Sequence, residues 1–414
     1  METITNFLEC EEKCSMISVG IDISKEKSTV CILKPYGEII SAPFEIKHTE
    51  KALSELATML LRFNEEVKVV MEATGIYHLP VLSYLQEKGI FVAVINPFEM
   101  KQYRNQGLRS VKTDKKDAIT IANYGVDYWF RLRKYEVTAE IYQELKILGR
   151  QYSHYMCMRI KSVQSLTHLL DYTMPGIKGL LKGWQDANGK DKLSDFVEEY
   201  WHFDNITKMS EENFINSYVN WAKEKGYHQS QNKAVKIYSL AKEGIPTLSA
   251  DMESTKIMLQ QAVSVLKQVN TTLTIILARK KDLAKRLPEY PIVRAMGGVG
   301  DVLAPKLIAE IGDIRRFHSG KALIAYAGID APPYQSGQFV GTNRKISKRG
   351  SSTLRKIGYE TMRVLKTHST PEDSAVYWYI LKKEAEGKAK RVAKIAGLNK
   401  FLRIYYARVK EVYQ

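Results

Sequence analysis

Four acidic residues, Asp22, Glu72, Asp114 and Asp117, stand where metal-dependent phosphoryl transfer would need them. Asp22 closes the apolar run Ile17-Ser18-Val19-Gly20-Ile21, and Glu72 closes Val67-Lys68-Val69-Val70-Met71. Asp114 and Asp117 lie three apart in Lys112-Thr113-Asp114-Lys115-Lys116-Asp117-Ala118, which reads as the start of a helix. Hard divalent cations take clustered carboxylate oxygens, and two such ions can clamp a phosphodiester during in-line displacement. Mutual repulsion raises the pKa of such acids unless a cation neutralises them. Each acid alone has a plainer use, and Asp114 in particular suits a helix N-cap. Arg104, Arg109, Lys112, Lys115 and Lys116 flank the acids and are suited to hold a phosphate backbone.

A second candidate lies far along the chain, in Pro332-Pro333-Tyr334-Gln335-Ser336-Gly337. Rigid prolines lead into a Ser-Gly pair, and Arg344, Lys345, Lys348, Arg349, Arg355 and Lys356 follow. A serine hydroxyl is a weak nucleophile until a base or a metal activates it. No histidine lies in the motif, so metal activation is the attractive route; by spacing alone, such a Ser-Gly loop is usually a turn. Between the two candidates, Met296-Gly297-Gly298-Val299-Gly300-Asp301 precedes an apolar helix pattern over Val302–Ile311. This looks like a helix-hairpin-helix element, with Gly298 and Gly300 exposing backbone N–H groups to phosphate. A tight helix–helix turn explains it equally.

The elements that must position the acids follow from periodicity. Strands are expected at 16–23, Lys27–Leu33, Glu38–Ile46, 67–72 and Ile90–Ile95, with a Pro35-Tyr36-Gly37 turn after the second. Helices are expected after Thr49 and over Pro80–Lys88, and a further helix carries the Asp pair. The order βββαβαβ-α is that of the α/β ribonuclease-H-like fold, in which strands one and four are neighbours and bring Asp22 beside Glu72. Helical spacing then puts Asp114 and Asp117 on one face. Long helix patterns at 139–172 and 250–287 read as an antiparallel coiled coil or as a plain helical core. The Lys-, Trp- and Tyr-rich stretch 177–245 between them reads as a helical insertion without an assigned role. The aromatics of the tail, among them Trp378, Phe401 and Tyr405, suit either base stacking or a helical core.

Bulk properties agree with a polyanionic partner. The 414 residues suffice for two or three domains, and the net charge of +16 points to nucleic acid. The charge is uneven: residues 1–66 carry 7 basic against 12 acidic residues, and residues 341–414 carry 18 against 6. Cys10, Cys14, Cys31 and Cys157 form no CxxC pair and read as reduced thiols of a cytoplasmic protein. The N-terminus lacks the pattern of a signal peptide. No apolar run reaches the roughly 18–20 residues of a membrane span.

These motifs, in this order, resemble the DEDD-type insertion-sequence transposases, a family described as bridge-RNA-guided recombinases and related to the pilin-gene invertases. The matching residues are Val19–Asp22, Met71–Gly75, Lys112–Ala118, the Gly297–Asp313 hairpin, Ser336-Gly337, and Ile346–Gly350 through Arg355. The resemblance implies a RuvC-like catalytic domain at 1–130, a coiled-coil linker with a helical insertion at 131–287, and a mainly α transposase domain at 288–414. It implies that Asp22, Glu72, Asp114 and Asp117 hold Mg²⁺ or Mn²⁺, and that Ser336 forms a phosphoserine link to DNA. It implies donor and target DNA, a non-coding guide RNA and a dimer or tetramer as partners. Ser347, Ser351 and Ser352 are rival serines, expected to contact phosphate. The competing expectation is a RuvC-like nuclease or junction resolvase that uses water in place of serine.

Overall fold

The computed structural model describes residues 16–73, 75–105, 113–135, 139–181, 191–332, 335–336, 339–340, 345–368 and 374–414. The chain divides into two compact units, one up to Val137 and one from Thr138. Among the described residues no helix is long and apolar enough to cross a membrane.

The first unit is built on a five-stranded sheet: β1 (Met16–Ile23), β2 (Lys27–Leu33), β3 (Ile39–Lys47), β4 (Glu66–Glu72) and β5 (Phe91–Ile95). Their spatial order is β3-β2-β1-β4-β5. The first three strands pair antiparallel, whereas β1–β4 and β4–β5 are parallel. This is the ribonuclease-H-like topology expected from the strand order. Alternation along β1 sends Ile17, Val19, Ile21 and Ile23 to one face, where α1 (Glu50–Leu61) and α2 (His78–Glu87) cover them. Thr49 caps α1 as expected, accepting from the Ala52 N–H at 3.4 Å.

The other face of the sheet carries Ser18, Gly20 and Asp22, and helix α4 (Asp114–Asp127) packs on it. The α4 residues that meet Ser18 and Gly20 of β1 are small: Ala118, Ala122 and Gly125 recur at helical spacing. A Cβ on Gly20 would lie 2.3 Å from both the Ala118 carbonyl oxygen and the Ala122 nitrogen. A Cβ on Gly125 would lie 2.1 Å from Ser18 Oγ, which donates to the Ala122 carbonyl at 2.7 Å. Glycine on each partner therefore sets how closely the helix backbone approaches β1. One element was not foreseen. Asn96-Pro97, read as a strand terminator, also starts α3 (Pro97–Arg104), with Asn96 as N-cap and Pro97 at the first helical position.

The second unit is organised by two long helices, α5 (Glu140–Thr173) and α11 (Glu253–Lys285). Glu144 pairs with Arg279 at 2.9 Å, and Arg159 Nε donates to Asn270 at 2.8 Å, so numbering rises along one helix as it falls along the other. The helices are antiparallel. The 177–245 stretch forms α6 (Ile177–Leu180), α7 (Lys192–Tyr200), α8 (Phe203–Thr207), α9 (Glu211–Glu224) and α10 (Gln231–Glu243). Five of its aromatic residues are core: Phe196, Tyr200, Phe214, Tyr218 and Trp221 bury against Leu166, Leu170, Leu259 and Val263 of the long pair. At the opposite end of the pair, a second core joins Tyr142, Leu145 and Leu283 to the C-terminal helices. These are α12 (Tyr290–Arg294), α13 (Leu303–Ile311), α14 (Gly320–Ala327), α15 (Ser352–Thr367), α16 (Ser374–Ala385) and α17 (Lys390–Glu411). Phe401 and Tyr405 lie inside that core, whereas Trp378 remains 60% exposed. A two-residue hairpin, β6 (Gln335–Ser336) with β7 (Phe339–Val340), completes the unit.

Candidate active site

The parallel register of β1 on β4 pairs Ile21 with Met71, so Asp22 and Glu72 are the next residues of adjacent strands. Both are partly buried at the strand ends. Helix α4 starts at Thr113, whose hydroxyl accepts from the Lys116 N–H at 3.3 Å, and this places Asp114 and Asp117 in its first turn. Negative charge there is favoured by the helix dipole. Thr113, not Asp114, is the cap.

The four acids act on one another. Asp22 is pushed up from 3.8 to about 6, first by burial, then by the charges of Asp117 and Asp114, with Glu72 adding to the same direction. Arg104 opposes the shift. Its Nη2 lies 2.6 Å from Glu72 Oε2 and its Nε 3.5 Å from Asp117 Oδ1. The second separation is a charge contact rather than a hydrogen bond, and Nε is a buried donor without a hydrogen-bond acceptor. Arg104, expected from sequence to hold phosphate, thus stands among the acids as an internal counter-charge. Its position depends on the unforeseen helix α3; the Asn-Pro capping signal was the trace of it in the sequence.

Four carboxylates without sulfur or imidazole are a donor set suited to Mg²⁺ or Mn²⁺. Among the described residues, however, no group of three or more Asp, Glu, His or Cys converges closely enough to ligate one ion. The acids act on one another, and a guanidinium lies between two of them. Lys115 and Lys116 project from the exposed first turn of α4. Arg109 and Lys112 lie outside the described residues.

In the second unit, Ser336 ends strand β6 and pairs with Phe339 of β7, whereas Pro333, Tyr334 and Gly337 of the expected loop lie outside the described residues. Arg344 lies outside the described residues. The basic segment that follows is anchored by its backbone: Ser347 N–H donates to Asp330 O at 2.8 Å, Lys348 N–H to Gly328 O at 3.0 Å, and Ser351 N–H to Tyr326 O at 2.7 Å. Lys348 adopts a φ of 56°, unusual for a residue with a Cβ. Two rival serines have structural partners, since the Ser347 hydroxyl bonds Asp330, and the Ser351 hydroxyl caps α15 and bonds Glu310. Arg355 Nη1 donates to the carbonyls of Ala327 and Gly350 at 3.0 Å each. Lys345 and Arg349 are exposed.

The glycine turn at 297–300 lies between α12 and α13. Gly298 has a φ of 76°, and a Cβ there would meet the Thr361 carbonyl at 2.7 Å. Packing against α15 thus accounts for this glycine without a phosphate. A Cβ on Gly300 would meet open space. Asp301, beside it, pairs with Arg294, which holds the Asp301 carboxyl below its usual range and places a negative charge where an anion was expected.

Known proteins match both ends of this architecture. Residues 19–175 match a family model described as a transposase of DEDD type from IS110, and residues 290–378 match the transposase IS116/IS110/IS902 family. A pilin gene-inverting protein of Moraxella bovis is 22% identical over 397 residues, covering 95% of each chain. The insertion element IS116 44.8 kDa protein of Streptomyces clavuligerus is 22% identical over 386 residues, covering 90% of this chain and 89% of its own. A Thermus thermophilus RuvC structure aligns with 28% of this chain and 95% of its own, at 16% identity and a TM-score of 0.23. With both of its conserved-model regions matched in order, the chain belongs to the IS110/IS116/IS902 family of insertion-sequence transposases.

Proposed function

We propose that this transposase cuts and rejoins DNA through a phosphoserine intermediate on Ser336, with a divalent cation held by Asp22, Glu72, Asp114 and Asp117. The observation that carries the proposal is the convergence on Asp22, a strand-end carboxyl that is raised first by burial and then by all three other acids. Acids that repel one another at the ends of two strands and one helix have a use when a cation joins them. Bound there, Mg²⁺ would supply Lewis-acid stabilisation of phosphoryl oxygens. In the protein's own part of the reaction, Ser336 Oγ attacks phosphorus and an O–P bond forms. The bond from phosphorus to one strand oxygen breaks, the serine proton passes to a base, and the leaving oxygen gains a proton. A hydroxyl of the partner strand then attacks the phosphoserine and returns Ser336 to its starting state.

Further parts of this proposal are a structured guide RNA that chooses donor and target sites, a dimeric or tetrameric assembly, and a coiled-coil role for the antiparallel pair α5–α11. The net charge of +16 supports a nucleic-acid partner of either kind. The test is denaturing-gel capture of a protein–DNA adduct in the presence of Mg²⁺, followed by mapping of the modified residue. The adduct is expected to vanish in Ser336→Ala and in Asp22→Asn. An adduct that persists in Ser336→Ala refutes the nucleophile; free 5′-phosphate products with no adduct at any time point would instead establish hydrolysis.

A further inference from the structure

Lys280, on the long helix α11, is 1% exposed and is among the largest fully buried side chains of the molecule. Its ammonium makes no hydrogen bond or ion pair with a described residue. It sits 5.5 Å from the centre of the Tyr152 ring and 3.6 Å from the point where a Cβ on Gly149 would stand. Lys306 of α13 shares the same ring at 5.2 Å. A buried ammonium and a partly exposed one thus converge on one tyrosine, and the aromatic face compensates only a small part of the desolvation of Lys280.

Both lysines line a cavity of about 410 Å³ enclosed by α5, α11, α13 and α15. Lys146, Arg150 and Lys356 add three further cations to its walls, against the carboxylates of Glu310 and Glu360. Those two acids already have partners: Glu310 accepts from the Ser351 hydroxyl, and Glu360 lies 3.8 Å from Lys306. The remaining wall includes apolar Met156, Ile160 and Ile357. A cavity of this size, with an apolar side and a few convergent charges, is of the scale that takes a nucleotide-sized ligand. Burial, with repulsion from Lys306, pulls Lys280 down to about 8, whereas Glu310 opposes the shift.

We propose that this cavity binds a phosphate group carried by a nucleotide, with Lys280 and Lys306 as its two ammonium donors and the apolar wall against the rest of the nucleotide. The site lies wholly within the second unit and is independent of the acidic cluster and of Ser336. Failure of the phosphoserine reading would leave it standing. A mononucleotide and a strand bearing a terminal phosphate present the same chemistry, and binding measurements separate them.

The test uses the full chain and its Lys280→Met and Lys306→Met variants. Titration calorimetry and thermal unfolding are followed with orthophosphate, adenosine 5′-monophosphate, and one short single strand with and without its 5′-phosphate. Lys280→Met replaces an uncompensated charge by an apolar side chain of similar length, so without ligand its melting temperature is expected to rise. Nucleotide affinity is expected to fall by about tenfold or more in each variant, the scale of one charged hydrogen bond. Tighter binding of the 5′-phosphorylated strand than of the mononucleotide identifies the strand as the natural source; the reverse identifies a free nucleotide. Equal affinity of wild type and both variants for every probe overturns the proposal, as does the absence of binding to wild type. Binding of orthophosphate alone overturns the nucleotide assignment. Should Lys280→Met fail to fold, Lys306→Met alone decides by the same affinity comparison.

Discussion

Substitution of Gly20 by alanine is expected to uncouple the acids while leaving every one of them unsubstituted. Gly20 lies on β1 between Ser18 and Asp22, on the face that α4 covers. Its added Cβ would stand 2.3 Å from two backbone atoms of α4 and 2.8 Å from a third, the Ala122 Cα. Backbone cannot rotate away as a side chain can, so restoring ordinary contact requires helix and strand to separate by about 1 Å. Asp114 and Asp117 ride on the first turn of that helix and move with it. Overpacking of this kind costs about 1–3 kcal/mol of stability. A displacement of about 1 Å at reacting groups costs on the order of 10²-fold in rate. The assay is Mg²⁺-dependent DNA cleavage or adduct formation by purified protein, with thermal unfolding measured in parallel. Ser18→Ala is the control: it removes the hydrogen bond to Ala122 and about 1 kcal/mol, adds no volume, and is expected to keep the rate within a few-fold. A Gly20→Ala protein that works at the wild-type rate, or no worse than Ser18→Ala, would refute the claim that this glycine sets the distance between the acids.

Gly125→Ala brings its Cβ against Ser18 Oγ, so its destabilisation should shrink in a Ser18→Ala background; strict additivity in chemical denaturation would count against the contact. Asp22 shows the opposite of the usual carboxylate dependence on pH. Its folded pKa of about 6 exceeds the ordinary 3.8, so the folded chain retains a proton that the unfolded chain has released between those values. Stability therefore falls as pH rises through that window, and the penalty is complete above it. In the presence of chelator, Asp22→Asn should raise the melting temperature near pH 7.5 and leave it unchanged near pH 4; an equal gain at both would refute the shift. Arg104→Gln removes a unit charge from beside Glu72 and Asp117, a term of about 4 kcal/mol for charges about 4 Å apart at an effective dielectric of 20 and larger at closer range. Mn²⁺ titration of that variant should show at least about tenfold tighter binding than wild type, and unchanged affinity would show that the guanidinium does not compete with the ion.

The sheet was legible because its strands alternate. Ile17, Val19, Ile21 and Ile23 share one face and Ser18, Gly20 and Asp22 the other, so one period sets both the core and the direction of the acid. Where periodicity is weak, legibility failed. Helix α3 has only eight residues and a single buried one, Met100, and its Asn-Pro start carries the same residues as a turn. The stretch 177–245 hid its role for a related reason. Its helices are short and their aromatics meet one another only in three dimensions, as Phe196 meets Trp221 at 5.6 Å between ring centres. The glycine turn at 297–300 was open to two readings, because a glycine required by helix packing is written the same way as one required by a phosphate.

The acids themselves were found by position along the chain, but position could not supply their counter-charge. Glu72 and Arg104 are separated by 32 residues, and their contact exists because β4 and α3 end at the same side of the sheet. From the sequence, Arg104 was one of five flanking cations with a common task. In the fold it differs from Lys115 and Lys116, since its guanidinium is among the acids and those two residues are exposed to solvent. One positive charge among four carboxylates lowers their repulsion without removing it, and Asp22 remains raised. A cluster balanced in this way holds together without a metal. On the proposed mechanism, an arriving dication would neutralise more charge than the arginine it displaced, and the released Arg104 would be free to pair with a phosphodiester.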